Sequence, residues 1–548
     1  MSSIIIGLLS FNLAAGVVVQ TASGPVDGLE LDLEGKKINV YLGIPYGEAP
    51  VGAGRFKKPL YVKPWAGTKN CTSFGFSCHY FEPTPRPFLT NPPFSEDCLN
   101  LNIYAPSIPT GSSTKLPVLF YIHGGGYLTD TAAFFGLEIT AKILPKKDVI
   151  VVTVNYRLGL FGFLSTPEGT VPGNQGLWDM ALALEWTYDN IERFGGDKAK
   201  ITVGGQSAGS MASELLFLSP KSQGMINQLI LMSGTNYDTM APHADPQLYA
   251  NILEFAKEEG LKSSSEADLV EFLSALPAEK ISLNFGGNTK DHPNITMKPW
   301  TVIDGELLPR SLDELRKQAP KVNVLIGVTR NEGLMFVNNP NLTACAMEKI
   351  SEYCDAKHLK VTDLQEEDLF HHFVHQDLLS NSTEYTQEVL DIISDLTFNN
   401  GIYQCAEGLA GEDERNTFVY RFDFYQKRDA TTVFPRVIEG ATHCDDLRYI
   451  FGIDLIREYK PTEEDLAMTE QFSDYIANFI KTGNPGSNWP KVLGNSGNVA
   501  NLIIDLNNTR VSDDLFDGRA KYWRDYGSSA QFIANTLVIF AGYLFLVL

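Results

Sequence analysis

Residues 200–210 read Lys-Ile-Thr-Val-Gly-Gly-Gln-Ser-Ala-Gly-Ser and contain Gly-x-Ser-x-Gly at Gly205, Ser207 and Gly209. An apolar run, 201–203, precedes the serine, and a helix-forming stretch, 210–218, follows it. On such a strand-to-helix turn the serine hydroxyl is pushed clear of the backbone. The flanking glycines let neighbouring chain pass where a Cβ would clash. The helix start then aims amide N–H groups and the positive dipole end at developing negative charge. A second run, His123-Gly124-Gly125-Gly126-Tyr127, follows the apolar stretch 118–122. Consecutive glycines cost backbone entropy, and bare amides are what a tetrahedral oxyanion needs. The expected donors are Gly125, Gly126 and Ala208, the residue after the serine. Together these residues point to acyl transfer by an activated serine. A third string, His371-His-Phe-Val-His375, has metal-like spacing but lacks the glutamate of His-Glu-x-x-His and reads as a polar helix. No metal ligand and no organic cofactor is expected.

These groups need a scaffold. Residues 118–122, 149–155, 201–203, 229–232, 324–329 and 417–424 read as strands, and 177–194 and 472–480 as helices. Their alternation predicts an α/β domain built on a large, mostly parallel central sheet flanked by helices. Residues 245–400 are more helical and more acidic and read as helical insertions over the site. No linker or internal repeat divides the chain, so the 548 residues are expected to carry one catalytic domain, over 17–526. The net charge of −22 repels phosphate backbones and argues against a nucleic-acid partner.

Both ends read as targeting segments. Residues 1–16 join an apolar run to small residues, as a secretory signal peptide does. Residues 527–548 join small residues to an uncharged apolar tail with no basic residue beyond it. That fits a GPI-anchor signal or another membrane tail. Asn-x-Ser/Thr sequons stand at Asn70, Asn294, Asn341, Asn381 and Asn507, as expected of a glycoprotein in the secretory pathway, extracellular or at the cell surface. Seven cysteines allow a few disulfides and leave at least one thiol unpaired within the chain.

The chain resembles the type-B carboxylesterases, the cholinesterase/carboxylesterase family of α/β hydrolases. The resemblance rests on Gly-Gln-Ser-Ala-Gly and His-Gly-Gly-Gly, and extends nearly end to end. It includes Tyr46-Gly-Glu-Ala-Pro50, Ser95-Glu-Asp-Cys-Leu-Asn-Leu-Asn102, Asn155-Tyr-Arg-Leu-Gly-Leu-Phe-Gly-Phe163, Gly173-Asn-Gln-Gly-Leu177 and Phe194-Gly-Gly-Asp197. It implies the α/β-hydrolase fold and supplies an acid and a base. Glu332, in Gly327-Val-Thr-Arg-Asn-Glu-Gly333, resembles the family's catalytic glutamate, and His443, in Gly440-Ala-Thr-His-Cys-Asp-Asp-Leu447, its histidine. The order Ser207, Glu332, His443 is that of α/β hydrolases. The residues alone do not single out one of nine histidines. The resemblance also implies a Cys78–Cys98 bridge. Leu261 and Phe272 stand where the family's second bridge would be, and Cys405 faces a partner position that resembles Ala520. Cys345 and Cys354 could pair locally or stay free, while Cys71 and Cys444 have no assigned partner.

Two departures bear on the substrate. Gln206 stands where most of the family, cholinesterases included, has glutamate. Phe88 stands where cholinesterases use a choline-binding tryptophan, and a phenylalanine face attracts cations less well. Acetylcholine is therefore disfavoured, and the expectation is a serine carboxylic-ester hydrolase acting on small, uncharged, moderately apolar esters. Gly-Gln-Ser-Ala-Gly, Arg55-Phe56 and the Gly440, His443, Asp446 spacing also resemble juvenile hormone esterases, whose Asp-Gln is only half matched by Asp179-Met180. The rival reading is a catalytically silent adhesion protein on the same fold, similar to neuroligins or glutactin. Such relatives have typically lost a triad member. Oligomeric state is not legible.

Overall fold

A computed structural model describes residues 17–526 except 83–91, 110, 338–340, 360, 376, 379, 381, 411–415, 427–436, 453–460 and 495–496. The expected leader, the expected tail, Phe88 and Asn381 lie outside the described residues. Three short strands, β1 (Val18–Gln20), β2 (Pro25–Asp27) and β5 (Lys69–Asn70), make a small sheet. Eleven strands make the main one: β3 (Leu29–Leu33), β4 (Lys36–Pro45), β6 (Asn100–Pro106), β7 (Leu116–Ile122), β8 (Ile150–Val154), β9 (Gly196–Gln206), β10 (Gln228–Met232), β11 (Asn323–Thr329), β12 (Thr417–Phe422), β13 (Asn501–Ile504) and β14 (Arg510–Ser512). Their spatial order is β14-β13-β12-β11-β10-β9-β7-β8-β6-β4-β3. The strands from β13 to β8 in that order run parallel. The antiparallel edges are β14 on one side and β6, β4 and β3 on the other. This is the expected α/β-hydrolase architecture.

The central strands are buried on both faces, so they read as continuous apolar runs with no alternation: β7 is LPVLFYI, β8 IVVTV and β10 QLILM. The period of two survives in what each residue packs against. Val118, Phe120 and Ile122 join one core layer, with the helices Gln175–Asn190 and Ala208–Leu218. Leu119 and Tyr121 join the other, with the helix Glu463–Thr482. Strand β9 is longer than its expected core of 201–203 and continues through Gly204 and Gly205, which read locally as a turn. Its parallel ladders to β7 and β10 hold them extended. Within 245–400, helices dominate, but β11 threads through them into the sheet. The helices Pro246–Glu258 and Glu266–Ala275 close a separate apolar layer with Phe56, Leu128 and Phe161. Leu261 and Phe272 both sit in that layer. Packing takes the place of a second bridge there.

Cys78 and Cys98 are disulfide-bonded, and Cys71, Cys345, Cys354, Cys405 and Cys444 take part in no disulfide. Cys345 and Cys354 share the helix Leu342–Ala356, where nine residues of rise hold them about 13.5 Å apart, too far to bridge. Cys405 and Ala520 are buried in the same core layer. The sequon residues Asn70, Asn294, Asn341 and Asn507 are all exposed. No helix among the described residues is long and apolar enough to cross a membrane.

Two ion-pair systems, one buried and one partly buried, tie distant segments together. Arg157 grips Asp179 with two parallel bonds of 2.8 and 2.7 Å and donates to the carbonyls of Arg55 and Lys57. Burial raises the Asp179 pKa above the ordinary value and Arg157 only partly offsets it. Elsewhere Arg330 and Arg519 share Asp391, and Arg519 also holds Asp395, 124 residues away in the chain. The guanidinium groups of Arg330, Arg421 and Arg519 all lie within 6 Å of the Phe516 ring centre. Arg157→Met leaves Asp179 buried without a partner and is expected to destabilise the fold by about 3–5 kcal/mol in urea unfolding. Adding Asp179→Leu is expected to restore most of that loss, because an apolar pair of similar size needs no charge compensation.

Candidate active site

The sheet brings the carboxyl ends of β7, β9, β10 and β11 to one level: Ile122 pairs with Gly205, Gln206 with Met232, and Met232 with Gly327. Open α/β sheets carry their sites at this edge. Ser207 follows β9 directly at φ 58°, ψ −128° and opens the helix Ala208–Leu218. A positive φ on a non-glycine residue costs about 1–3 kcal/mol and persists only where the surroundings enforce it. Here the Ser207 N–H donates to the Met232 carbonyl at 2.8 Å, and the Ser210 hydroxyl to the Gly234 carbonyl at 2.6 Å. The glycines are required sterically. A Cβ on Gly209 would lie 2.1 Å from the Ile122 carbonyl oxygen, and one on Gly205 2.4 Å from the Gly209 backbone.

The glycine run after β7 lies against the same turn. A Cβ on Gly124 would come within 3.2 Å of the Ser207 Cβ, and Gly125 and Gly126 have φ of 91° and 64°. His123 stacks on Tyr156 with ring centres 4.4 Å apart, and the Tyr156 hydroxyl donates to the His123 carbonyl at 2.9 Å. This explains why the Asn155-Tyr-Arg segment belongs with the glycines. Among the described residues, the amide hydrogens of Gly125, Gly126 and Ala208 find no acceptor in the protein.

Glu332 and His443 meet because their loops dock edge to edge. Asn331 and Thr442 form a parallel bridge, and the Asn331 N–H donates to the Ala441 carbonyl at 2.9 Å. Gly440, at φ 142°, lies beside this bridge, and a Cβ there would meet the Asn331 side-chain nitrogen at 2.4 Å. The result is a 2.6 Å bond from His443 Nδ1 to Glu332 Oε2, with both side chains almost wholly buried. Glu332 Oε1 accepts from the Ser233 hydroxyl and the Thr329 N–H, both at 2.6 Å. Burial opposes charge on the ring, but the neighbouring Cys444 and the Glu332 carboxylate outweigh it and carry the His443 pKa well above the ordinary imidazole value. Burial also pushes the Cys444 thiol up, against the pull of His443. Phe398 stacks on His443 at 4.7 Å from a π-helical turn, Asp395–Asn399.

The residue next to the serine takes the other ring nitrogen: Gln206 Nε2 lies 3.0 Å from His443 Nε2. Among the described residues, the Ser207 hydroxyl makes no hydrogen bond. So Glu332 and His443 are brought into contact, with Ser207 one residue from the second contact. Asp446 of the Gly440, His443, Asp446 spacing accepts a 2.8 Å bond from the Tyr420 hydroxyl. Burial, opposed by that bond and reinforced by Glu332, raises its pKa to about 7. The His371–His375 string does not gather: His372 stacks on Tyr522 and His375 pairs with Glu388. Ser233, Phe398 and Tyr156 were not singled out in the sequence as groups acting on the site.

A sequence model of the carboxylesterase family matches residues 15–523. The chain is 34% identical to the esterase cest-33 of Caenorhabditis elegans, covering 85% of each chain. It is 30% identical to gut esterase 1 of the same nematode, covering 93% of each. It is 28% identical to a mouse cholinesterase, covering 92% of this chain and 86% of the other. Gly209→Ala tests the steric argument. It is expected to cost about 3 kcal/mol in urea unfolding, because the helix must be driven off the end of β7.

Proposed function

The chain belongs to the carboxylesterase family, and from that premise we propose a serine carboxylic-ester hydrolase working through an acyl-enzyme. The observation that carries this reading is the buried His443–Glu332 pair beside the Ser207 turn. The neutral serine hydroxyl is a weak nucleophile and needs a base. Ser207 Oγ attacks the ester carbonyl while its proton passes to His443 Nε2. Glu332, held by Ser233 and the Thr329 amide, keeps Nδ1–H pointing inward and stabilises the imidazolium. The negative oxygen of the tetrahedral intermediate is received by the amides of Gly125, Gly126 and Ala208. Collapse expels the alcohol, which takes the proton back from His443, and water then repeats the sequence on the acyl-enzyme.

Uncharged, moderately apolar esters suit what faces this chemistry. Phe285 packs against Gly126 and is about half exposed, Phe398 covers the imidazole, and Gln206 brings no charge. A juvenile-hormone-esterase-like substrate is a narrower version that rests on the sequence resemblance at Gly205–Gly209, Arg55-Phe56 and the Gly440, His443, Asp446 spacing. A silent adhesion protein is less well supported, because nothing in the serine, acid, base or glycine set has been lost. The secretory address fits a buried disulfide, which oxidising compartments favour, and the exposed sequon asparagines fit glycosylation.

A fluorophosphonate probe is expected to label the purified protein at Ser207, and Ser207→Ala to abolish labelling and lower hydrolysis of short-chain aryl esters by at least about 10⁴-fold. Absence of both in the wild type would sink the enzyme reading. For the anchor, phosphatidylinositol-specific phospholipase C is expected to release the protein from expressing cells. Complete retention would exclude a GPI anchor and leave a spanning tail.

A further inference from the structure

On the reading of Ser207, Glu332 and His443 as a catalytic set, the geometry points to Gln206 as a positioning residue that holds the base idle: its side-chain amide, not the serine hydroxyl, occupies the Nε2 lone pair of His443. The two residues are 237 positions apart in sequence and both are buried, at 2% and 3% exposure, so water does not compete for the contact.

The assignment follows from proton inventory. With Nδ1–H given to Glu332, the neutral imidazole, the form that exists above the raised pKa of His443 and the only one able to act as base, has just a lone pair at Nε2. A lone pair can be met only by a donor. Of the two ends of the glutamine amide, the NH₂ fits, and the NH₂ faces the ring at 3.0 Å. Ser207 Oγ is thereby left without its base.

The consequence is an exchange that must precede attack. For the Ser207 proton to reach Nε2, the Gln206 N–H···N bond has to break and a Ser O–H···N bond to form. Once the proton has moved, Nε2–H would face the amide NH₂, donor against donor. A half-turn about the last carbon–carbon bond of Gln206 presents Oε1 instead, which accepts from the imidazolium. One uncharged side chain thus opposes use of the neutral base and accommodates its charged form. A glutamate at this position could do only the second. An ester seated against the glycine amides draws Ser207 into line and tips the exchange. A small electrophile arriving without such seating meets a serine that has not been activated.

Nitrogen-15 NMR of histidine-labelled protein reads the contact without requiring turnover. At a pH where His443 is neutral, Gln206→Met is expected to move its Nε2 resonance, and Ser207→Ala to leave it in place. A shift on Ser207→Ala as large as that on Gln206→Met, or no shift on either, overturns the proposal. Gln206→Leu serves if the methionine variant does not fold. It too removes the donor without adding a charge and is expected to move the resonance. For the consequence, Gln206→Met is expected to react with a small fluorophosphonate roughly two- to tenfold faster than wild type, the factor for one net hydrogen bond. A folded variant that reacts no faster overturns the idle-base role. Failure of Ser207 labelling in the wild type defeats the esterase reading, whereas the NMR comparison decides the Gln206 contact by itself.

Discussion

The site depends on one close approach: the first turn of the helix Ala208–Leu218 rests on the end of β7 with no room for a side chain between them. Gly209 sits over the Ile122 carbonyl and Gly205 beneath Gly209. That contact fixes where the helix begins, and so forces Ser207 into its positive-φ turn. It also fixes the exit of β7, from which the glycine run departs toward the serine. Strain elsewhere at the site follows from the same convergence. Among the described residues, eleven non-glycine residues have positive φ, and Tyr127, Ser207, Ser233 and Cys444 are four of them. At about 1–3 kcal/mol each, such a cluster survives only on a rigid sheet, and the fully buried strands β7, β8 and β10 provide one.

The acid and base arrive by a different route. They sit on loops beyond β11 and β12 and owe their geometry to the short bridge between Asn331 and Thr442. The bridge delivers Glu332 and His443 together, already paired, to a position beside the elbow. Ser233, at the end of β10, then fastens the carboxylate to the same sheet edge that holds the serine. The site is thus two rigid halves joined through β10, with the ring of His443 between them.

Local chemistry made the first half legible in the amino-acid order. A serine between glycines, preceded by a strand and followed by a helix, needs little else to be recognised, and neither does a triple glycine after an apolar run. Glu332 and His443 came from resemblance, because a lone acid and a lone histidine 111 residues apart carry no local mark of their meeting. Ser233, Phe398 and Tyr156 escaped for the same reason: their roles consist of contacts made by the folded chain. In the sequence Gln206 stands out for the charge it lacks; only the fold shows that it touches the ring of His443. The parallel core of the sheet was visible as apolar runs. The edge strands β3 and β14, and β4 beside β3, mix charged with apolar residues and are specified mainly by their partners. The extension of β9 through Gly204 and Gly205 shows neighbouring ladders overruling a local preference for turning.

The ion pairs around Asp391 set how far along the chain the support of the site reaches. Arg330, two residues before Glu332, shares Asp391 with Arg519, which belongs to the last stretch of described chain and stacks over Phe516 beside Arg330. The acid loop is thus clamped from a point 189 positions further on (519 − 330), and that late stretch serves as a buckle fastened behind it.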